Sequence, residues 1–132
     1  MCRLLWMMLT ASVLLAYILC APDECSAQLV TNSGAMVYVK EGAVVVIDGD
    51  VLNSDGDIRV YDGASLRCTG SFQLLLGGLY MERTSQVTIE RNLVIDRFGI
   101  CWRYAPGSLN VYGVIRNNGD LNNEGEINIG RP

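Results

Sequence analysis

The sequence predicts an all-β fold, a right-handed parallel β-helix or a β-solenoid close to it. Three observations predict this fold. Similar segments recur at a period of about 21 residues, short apolar/polar alternations lie between glycines, and no stretch after Gln28 shows the spacing of an amphipathic helix. About four to five short coils fit into residues 28–132, which we expect to form one repeat domain.

The clearest repeat is an alternating segment flanked by glycines. Gly42–Gly49 is matched 21 positions later by Gly63–Gly70, and after a further 21 by Thr84–Arg91. After a single inserted residue the next copy is Pro106–Gly113, and Gly125–Gly130 is a shortened copy. These segments predict one strand per coil in a constant register.

Two further columns keep step with this one. The second column is another alternating strand: Val37–Val39, Ile58–Val60, Leu79–Met81 and Ile100–Trp102. The third column is one apolar residue per repeat: Val51, Phe72, Leu93 and Ile115. Each repeat is therefore predicted to hold two short strands and one apolar contact. The segment Leu74–Gly78 matches none of its equivalents.

Alternation assigns each strand residue to the interior or to the surface. The predicted interior positions are Val37, Val39, Val45, Ile47, Ile58, Val60, Leu66, Cys68, Leu79, Met81, Val87, Ile89, Ile100, Trp102, Leu109, Val111, Ile127 and Ile129. The predicted outward positions of the second column are Tyr38, Lys40, Arg59, Tyr61, Tyr80, Glu82, Cys101 and Arg103.

Stacking explains how strands this short could be stable. A strand of three to five residues cannot bury its apolar face alone, whereas stacked copies cover one another and pair their backbones about 4.8 Å apart. The alternative is an antiparallel β-sandwich, which needs alternating strands too. A sandwich does not need a fixed 21-residue register, so we favour the solenoid.

The first 27 residues resemble a secretory signal. Arg3 precedes an apolar run from Leu4 to Leu19, and small residues end the segment. We predict cleavage after Ala27 and hence a secreted or cell-surface protein with no membrane segment after cleavage. A lipoprotein anchored through Cys20 is the alternative.

Five cysteines suggest a disulfide set, but three of them precede the predicted cleavage site. Of the remaining two, Cys68 falls in an interior column and Cys101 between two interior positions, facing outward. Side chains that point to opposite faces do not converge as a disulfide requires. We therefore predict no disulfide between them.

Charge and composition narrow the classes of function. From Gln28 onward nine basic and twelve acidic residues leave no basic patch for nucleic acid, and the chain contains no His. Four carboxylates lie between Asp48 and Asp57, but the calcium loop of an EF-hand is absent, so we interpret them as polar corners. We expect no cofactor, no metal site and no catalytic residues.

One outward surface carries aromatic and guanidinium groups at the repeat spacing. Its members are Tyr38, Arg59, Tyr61, Tyr80 and Arg103. Such a surface could stack on a sugar chain or pack against another surface protein. Tyr and Arg also suit exposed strand positions in general, where they pair with neighbours on the same face.

The segments Leu29–Ala35, Gly49–Asn53 and Asn117–Ile127 resemble the β-helix-like repeat regions near the start of large secreted proteins of the Bacteroidota. The resemblance covers most of residues 27–130, except 72–104, and carries no catalytic residue. It implies a repeat region that a type IX sorting domain would follow in a longer chain. Such a domain is not present in this sequence.

We therefore expect a stalk, a spacer or an adhesin-like segment. A carbohydrate-binding module that uses the Tyr/Arg surface is the first alternative, and a small polysaccharide lyase or hydrolase is the second. Ile127 and Ile129 form an apolar final rung, which further repeats or a partner could cover. A truncated reading frame is an open interpretation of that end.

Overall fold

The computed structural model describes residues 29–130, and the predicted signal segment 1–27 lies outside this range. The described residues form strands and turns, with no helix. The strands are β1 (Leu29–Ser33), β2 (Val37–Val39), β3 (Val44–Ile47), β4 (Asp50–Asp55), β5 (Asp57–Val60), β6 (Ser65–Cys68), β7 (Phe72–Met81), β8 (Gln86–Ile89), β9 (Leu93–Arg103), β10 (Ser108–Val111), β11 (Ile115–Asn117), β12 (Asp120–Asn123) and β13 (Glu126–Ile129).

The strands wind into a β-solenoid of about five coils, as the repeat predicts. Every strand pair is parallel and joins one coil to the next, which contradicts the antiparallel sandwich. Pairs such as Val45↔Leu66 and Leu66↔Val87 keep the 21-residue step. The fold class that the period predicts is therefore confirmed.

Each coil contains three strand columns, one more than the sequence predicts, and we number them from here on in chain order: the first begins with β1, the second with β2 and the third with β3. The residues expected to be single apolar contacts lie on strands in continuous register, with Val51 paired to Phe72 and Phe72 to Leu93. In the third and fourth coils the first and second columns merge into the long strands β7 and β9. The third column, from β3 to β13, forms a separate five-stranded sheet.

The core is a set of ladders in which each rung covers the next. Phe72, Leu79, Met81, Val87 and Ile89 are fully buried. Burying such side chains stabilises the fold by about 1.5–3 kcal/mol each. The end coils have one neighbour instead of two, and inward residues there remain open: Val30 is 44% exposed and Val37 39%.

Buried asparagines organise the first corner of the first two coils. Asn32 Nδ2 donates to Asn53 Oδ1 at 2.7 Å, and Asn53 Nδ2 donates to the carbonyl of Gly56 at 2.8 Å. Both side chains lie inside strands, Asn32 in β1 and Asn53 in β4. Their amides satisfy backbone groups at the corner that would otherwise be buried without partners.

The same corner explains the segment Leu74–Gly78, which matches none of its equivalents in the sequence. Leu74 replaces the corner asparagine and is fully buried. Gly77 has a φ of 77°, and a Cβ there would overlap the backbone of Gly56 in the coil below. A glycine is therefore needed where the two coils approach most closely.

The predicted register is wrong for the second column of the fourth coil. Leu74 pairs with Ile95, a step of 21, but Leu76 pairs with Phe98 and Leu79 with Cys101, a step of 22. The extra residue thus lies between Ile95 and Phe98, upstream of the position that the sequence suggests. A one-residue slip exchanges the two faces of a strand.

Four residues change sides because of this slip. Cys101 and Arg103 point inward and are 0% and 1% exposed, whereas Ile100 and Trp102 are only half-buried and face outward. The prediction that Arg103 belongs to the outward surface is wrong for this reason, and so is the outward placement of Cys101. The inward placement of Ile100 and Trp102 is equally wrong.

The buried guanidinium of Arg103 is held by neutral acceptors. Its Nε donates to Asn123 Oδ1 at 2.8 Å, and its Nη1 donates to the carbonyl of Gly107. Gly125 of the next coil lies directly above, where a Cβ would overlap the guanidinium. The last described coil thus supplies both an acceptor and the space for this cation.

Both cysteines of the described region are free, as predicted, but the predicted reason is wrong: both are buried, on the different strands β6 and β9. The Cys68 thiol donates to the carbonyl of Gly49 at 3.1 Å and lies inward as predicted. Cys2, Cys20 and Cys25 fall outside the described residues. Within residues 29–130 no helix has the length and apolar character of a membrane span.

Candidate ligand-binding face

The second strand column presents an outward surface that is rich in aromatic side chains. We call it the aromatic face and define it by one residue from each of the first four coils and two flanking tyrosines. Its members are Tyr38, Arg59, Tyr80, Trp102, Tyr61 and Tyr104. Backbone pairing aligns Tyr38 with Arg59, Arg59 with Tyr80 and Tyr80 with Trp102.

Neighbouring side chains on this face touch one another. The rings of Tyr38 and Tyr61 are 6.0 Å apart at 33°, and those of Trp102 and Tyr104 are 6.0 Å apart at 35°. The guanidinium carbon of Arg59 lies 5.2 Å from the centre of the Tyr80 ring, within cation–π distance. The face therefore contains three pairs of neighbouring side chains along the solenoid.

A glycine sets the position of the Tyr80 ring. A Cβ at Gly78, two residues earlier on β7, would overlap the ring carbons of Tyr80. The ring therefore occupies the space above Gly78 and leans along the strand. Burial raises the pKa of the Tyr80 hydroxyl, Asp57 raises it further, and the nearby Arg59 partly opposes both effects.

Two open hollows lie on this side of the solenoid. One, of about 500 Å³, is lined by Tyr38, Lys40, Glu41, Tyr61, Asp62 and Glu82. The other, of about 440 Å³, is lined by Tyr80, Ile100, Trp102, Asp120, Leu121 and Asn122. Both combine aromatic walls with carboxylates, a mixture that suits a ligand with apolar faces and hydroxyl groups.

The rim of the aromatic face is acidic. Three carboxylates and one ammonium group line the first hollow. Asp57 partly offsets the positive charge of Arg59, because Arg59 Nη2 lies 3.6 Å from Asp57 Oδ2. The rim therefore offers mainly hydrogen-bond acceptors.

Four of the five residues predicted for this surface face outward. Tyr38 is 49% exposed, and Arg59, Tyr61 and Tyr80 are partly exposed, so their outward placement is confirmed. Their role in ligand binding stays a prediction. Trp102 takes the place of Arg103 on the column. The sequence repeat suggests an insertion just before Pro106, and this register assigns Trp102 to the interior.

The acidic corners contribute to the structure of the solenoid. Asp48 Oδ1 accepts from Thr69 Oγ1 at 2.9 Å, and Asp50 Oδ1 accepts from the backbone N–H of Ser71 at 2.6 Å. Asp57 Oδ1 likewise accepts from the N–H of Gly78 at 3.1 Å. These carboxylates join successive coils, in accord with their interpretation as polar corners. Among residues 29–130 no three His, Cys, Asp or Glu side chains cluster as metal ligands would.

The fold assigns the chain to the β-solenoid class of repeat proteins. Comparisons with protein-family models, with curated proteins and with solved structures gave no match. A proposed function must therefore be based on the fold and on the aromatic face.

Proposed function

We propose that this chain is a secreted or cell-surface structural repeat segment, a stalk, spacer or adhesin-like rod, and that it performs no catalysis. The observation that carries the proposal is the unbroken stack of coils from Leu29 to Gly130. Five rungs about 4.8 Å apart make a rod about 20–25 Å long. A stack of this kind can be lengthened by adding coils without changing its cross-section.

The side-chain chemistry supports a rod with a stiff core and a variable surface. Cross-coil hydrogen bonds recur at the 21-residue step, as between Ser33 and Ser54 or Asp50 and Ser71. Arg67 and Glu90 form an ion pair across neighbouring coils on the outer surface. Such bonds resist the sliding of one coil over the next.

The ends of the described stack support a role within a longer assembly. Val30 and Val37 are open at one end, and Ile129 is 64% exposed at the other. A further coil or a surface-protein partner seated there would bury these side chains. Exposed aliphatic side chains on the end strands are less favourable than polar ones, unless another coil or a partner covers them.

Processing and export test the first part of the proposal. The full chain, expressed in a Gram-negative host with a C-terminal epitope tag, should yield a mature protein beginning at Gln28. Mass spectrometry of the N-terminus measures this directly. A mature protein that begins instead at Cys20 and carries a diacylglycerol adduct there would show lipid anchoring, and an unprocessed chain retained in the cytoplasm would contradict secretion altogether.

Turnover assays test the absence of catalysis. Incubation with polygalacturonate and alginate should release neither unsaturated products nor reducing ends above the level of a boiled control. Release that a substitution at Glu82 or Asp62 abolishes would favour the lyase or hydrolase alternative instead, because these carboxylates line the larger hollow.

A further inference from the structure

Aromatic side chains are concentrated on one of the three outer surfaces. Residues 29–130 contain eight aromatic side chains, and five of them lie on the aromatic face. From the second coil onward the outward positions of the third column are Ser65, Arg67, Gln86, Thr88, Ser108, Asn110, Glu126 and Asn128. General strand propensity does not account for this separation, because all columns offer the same exposed strand positions.

The spacing of the face suits an extended sugar chain. Successive members of the column are separated by one strand spacing, about 4.8 Å. A β-1,4-linked pyranose chain advances by a similar length per sugar, and each ring has a flat face of C–H groups. A chain that runs along the solenoid axis thus presents successive sugars to Arg59, Tyr80 and Trp102.

Ring placement favours stacking against a flat ligand. The Tyr80 ring leans over Gly78 along the sheet instead of standing away from it. Trp102 is half-buried and packs against Tyr104 on its flank. Rings held in this way lose little conformational entropy when a ligand binds.

The polar groups of the face favour a neutral chain. Glu41, Asp62 and Glu82 outnumber Lys40 at the rim, so a polyanionic chain would be repelled. Their oxygens accept hydrogen bonds from hydroxyl groups. Two buried donors of the face, Arg59 Nε and Trp102 Nε1, have no acceptor among the described residues, and a ligand hydroxyl that reaches them would supply one.

We propose that the aromatic face binds an extended, neutral, β-linked pyranose chain that runs along the solenoid axis. Tyr80 and Trp102 are the stacking platforms, and the carboxylates of the rim accept hydrogen bonds from the sugar hydroxyls. The proposal goes beyond the role as a rod and does not depend on it. A rod without glycan affinity would still be processed and exported, so the two proposals fail separately.

Titration calorimetry with defined oligosaccharides tests the proposal. The probes are cellohexaose, xylohexaose and chitohexaose, with maltohexaose as a coiled α-linked control and hexagalacturonate as an acidic control. We expect at least one β-linked probe to bind and both controls to bind at least about tenfold more weakly. If none of the β-linked probes binds with a Kd below about 1 mM, the proposal is wrong. Tighter binding of hexagalacturonate would overturn it as well.

Matched substitutions locate the site. Tyr80→Ala and Trp102→Ala should each weaken binding by about tenfold through loss of a stacking ring. Tyr112→Ala is the control, since Tyr112 is a half-buried tyrosine that follows β10, outside the face. Gly78→Ala should also weaken binding, because its Cβ displaces the Tyr80 ring. An equal loss in Tyr112→Ala would place binding elsewhere.

A measurement on the unaltered protein guards against misfolded variants. The indole N–H of Trp102 has no acceptor in the structure, so its proton resonance should move downfield when a bound hydroxyl accepts from it. The resonance is assigned from Trp102→Phe and followed during titration with the tightest β-linked probe. A resonance that stays fixed at saturation would contradict the assigned position of the ligand.

Discussion

Replacing Cys101 by valine should remove part of the loss of stability that the protein suffers at alkaline pH. The Cys101 side chain is fully buried, and burial raises the pKa of its thiol from 9.0 to about 12, with the smaller effect of Arg103 acting in the opposite direction. In the unfolded chain the thiol loses its proton near pH 8.5–9. Between the two pKa values the folded state therefore binds more protons than the unfolded state.

The sign and size of the effect follow from proton linkage. The free energy of unfolding is unaffected by this group below the unfolded pKa and falls as pH rises above it, by up to about 1.4 kcal/mol per pH unit. Between pH 8 and pH 10.5 the loss from Cys101 should reach about 2 kcal/mol. Below about pH 8 the Cys101 thiol is protonated in both states and causes no loss of stability.

Urea unfolding at the two pH values, with a reductant present, measures the effect. Valine suits the site because the neighbouring ladder residues are Leu79 and Leu121. Cys68, whose thiol pKa burial also raises, titrates in both proteins, so comparing the two losses isolates Cys101. If both proteins lose the same free energy within about 0.5 kcal/mol, Cys101 is exposed and the 22-residue step is wrong.

Four further substitutions, of which Gly42→Ala is a control, test the packing of the coils, each by urea unfolding at neutral pH. Gly77→Ala should cost more than about 2 kcal/mol, since its Cβ overlaps Gly56, whereas Gly42→Ala should cost only about 1 kcal/mol. Gly42 has a similar positive φ of 71° but open space around it, so equal costs would refute the close approach of coils. Asn53→Ala should cost about 2 kcal/mol by leaving corner groups unpaired, and a neutral effect would contradict the buried ladder. Leu79→Ala should cost about 2–5 kcal/mol, and a loss below 1 kcal/mol would place Leu79 at the surface.

The period of the sequence was enough to predict the fold class. Gly42–Gly49, Gly63–Gly70 and Thr84–Arg91 repeat without gaps, and the structure pairs their strands in the same register. A constant period combined with two-residue alternation leaves stacking as the simplest way to bury every apolar face. The first strand column is predicted only as a single apolar contact per repeat, because only one of its inward positions is apolar in every coil.

The strand register of the segment 95–103 cannot be predicted from the sequence pattern. Ile100, Cys101 and Trp102 are all apolar, so the alternation there fits either register equally well. The residue that distinguishes the registers is Arg103, whose charge argues for the surface. Its burial depends on Asn123 and Gly125 from the next coil, contacts that no local pattern predicts.

The candidate site was predicted in part for the same reason. Tyr38, Arg59 and Tyr80 lie in the region with a strict 21-residue step, and the structure aligns them as the repeat predicts. Trp102 lies beyond the inserted residue, and the 21-residue period wrongly predicts that it faces the interior. The contribution of Gly78 depends on the path of the Tyr80 side chain, which sequence spacing does not specify.

Backbone nuclear Overhauser effects between coils test the strand register itself, because they report which residues pair across parallel strands. The slipped register predicts contacts between Leu79 and Cys101 and between Tyr80 and Trp102, together with the 21-residue pair Phe72 and Leu93. Contacts from Leu79 to Ile100 instead would contradict the slipped register and the composition of the aromatic face. Antiparallel contacts among these strands would contradict the solenoid itself.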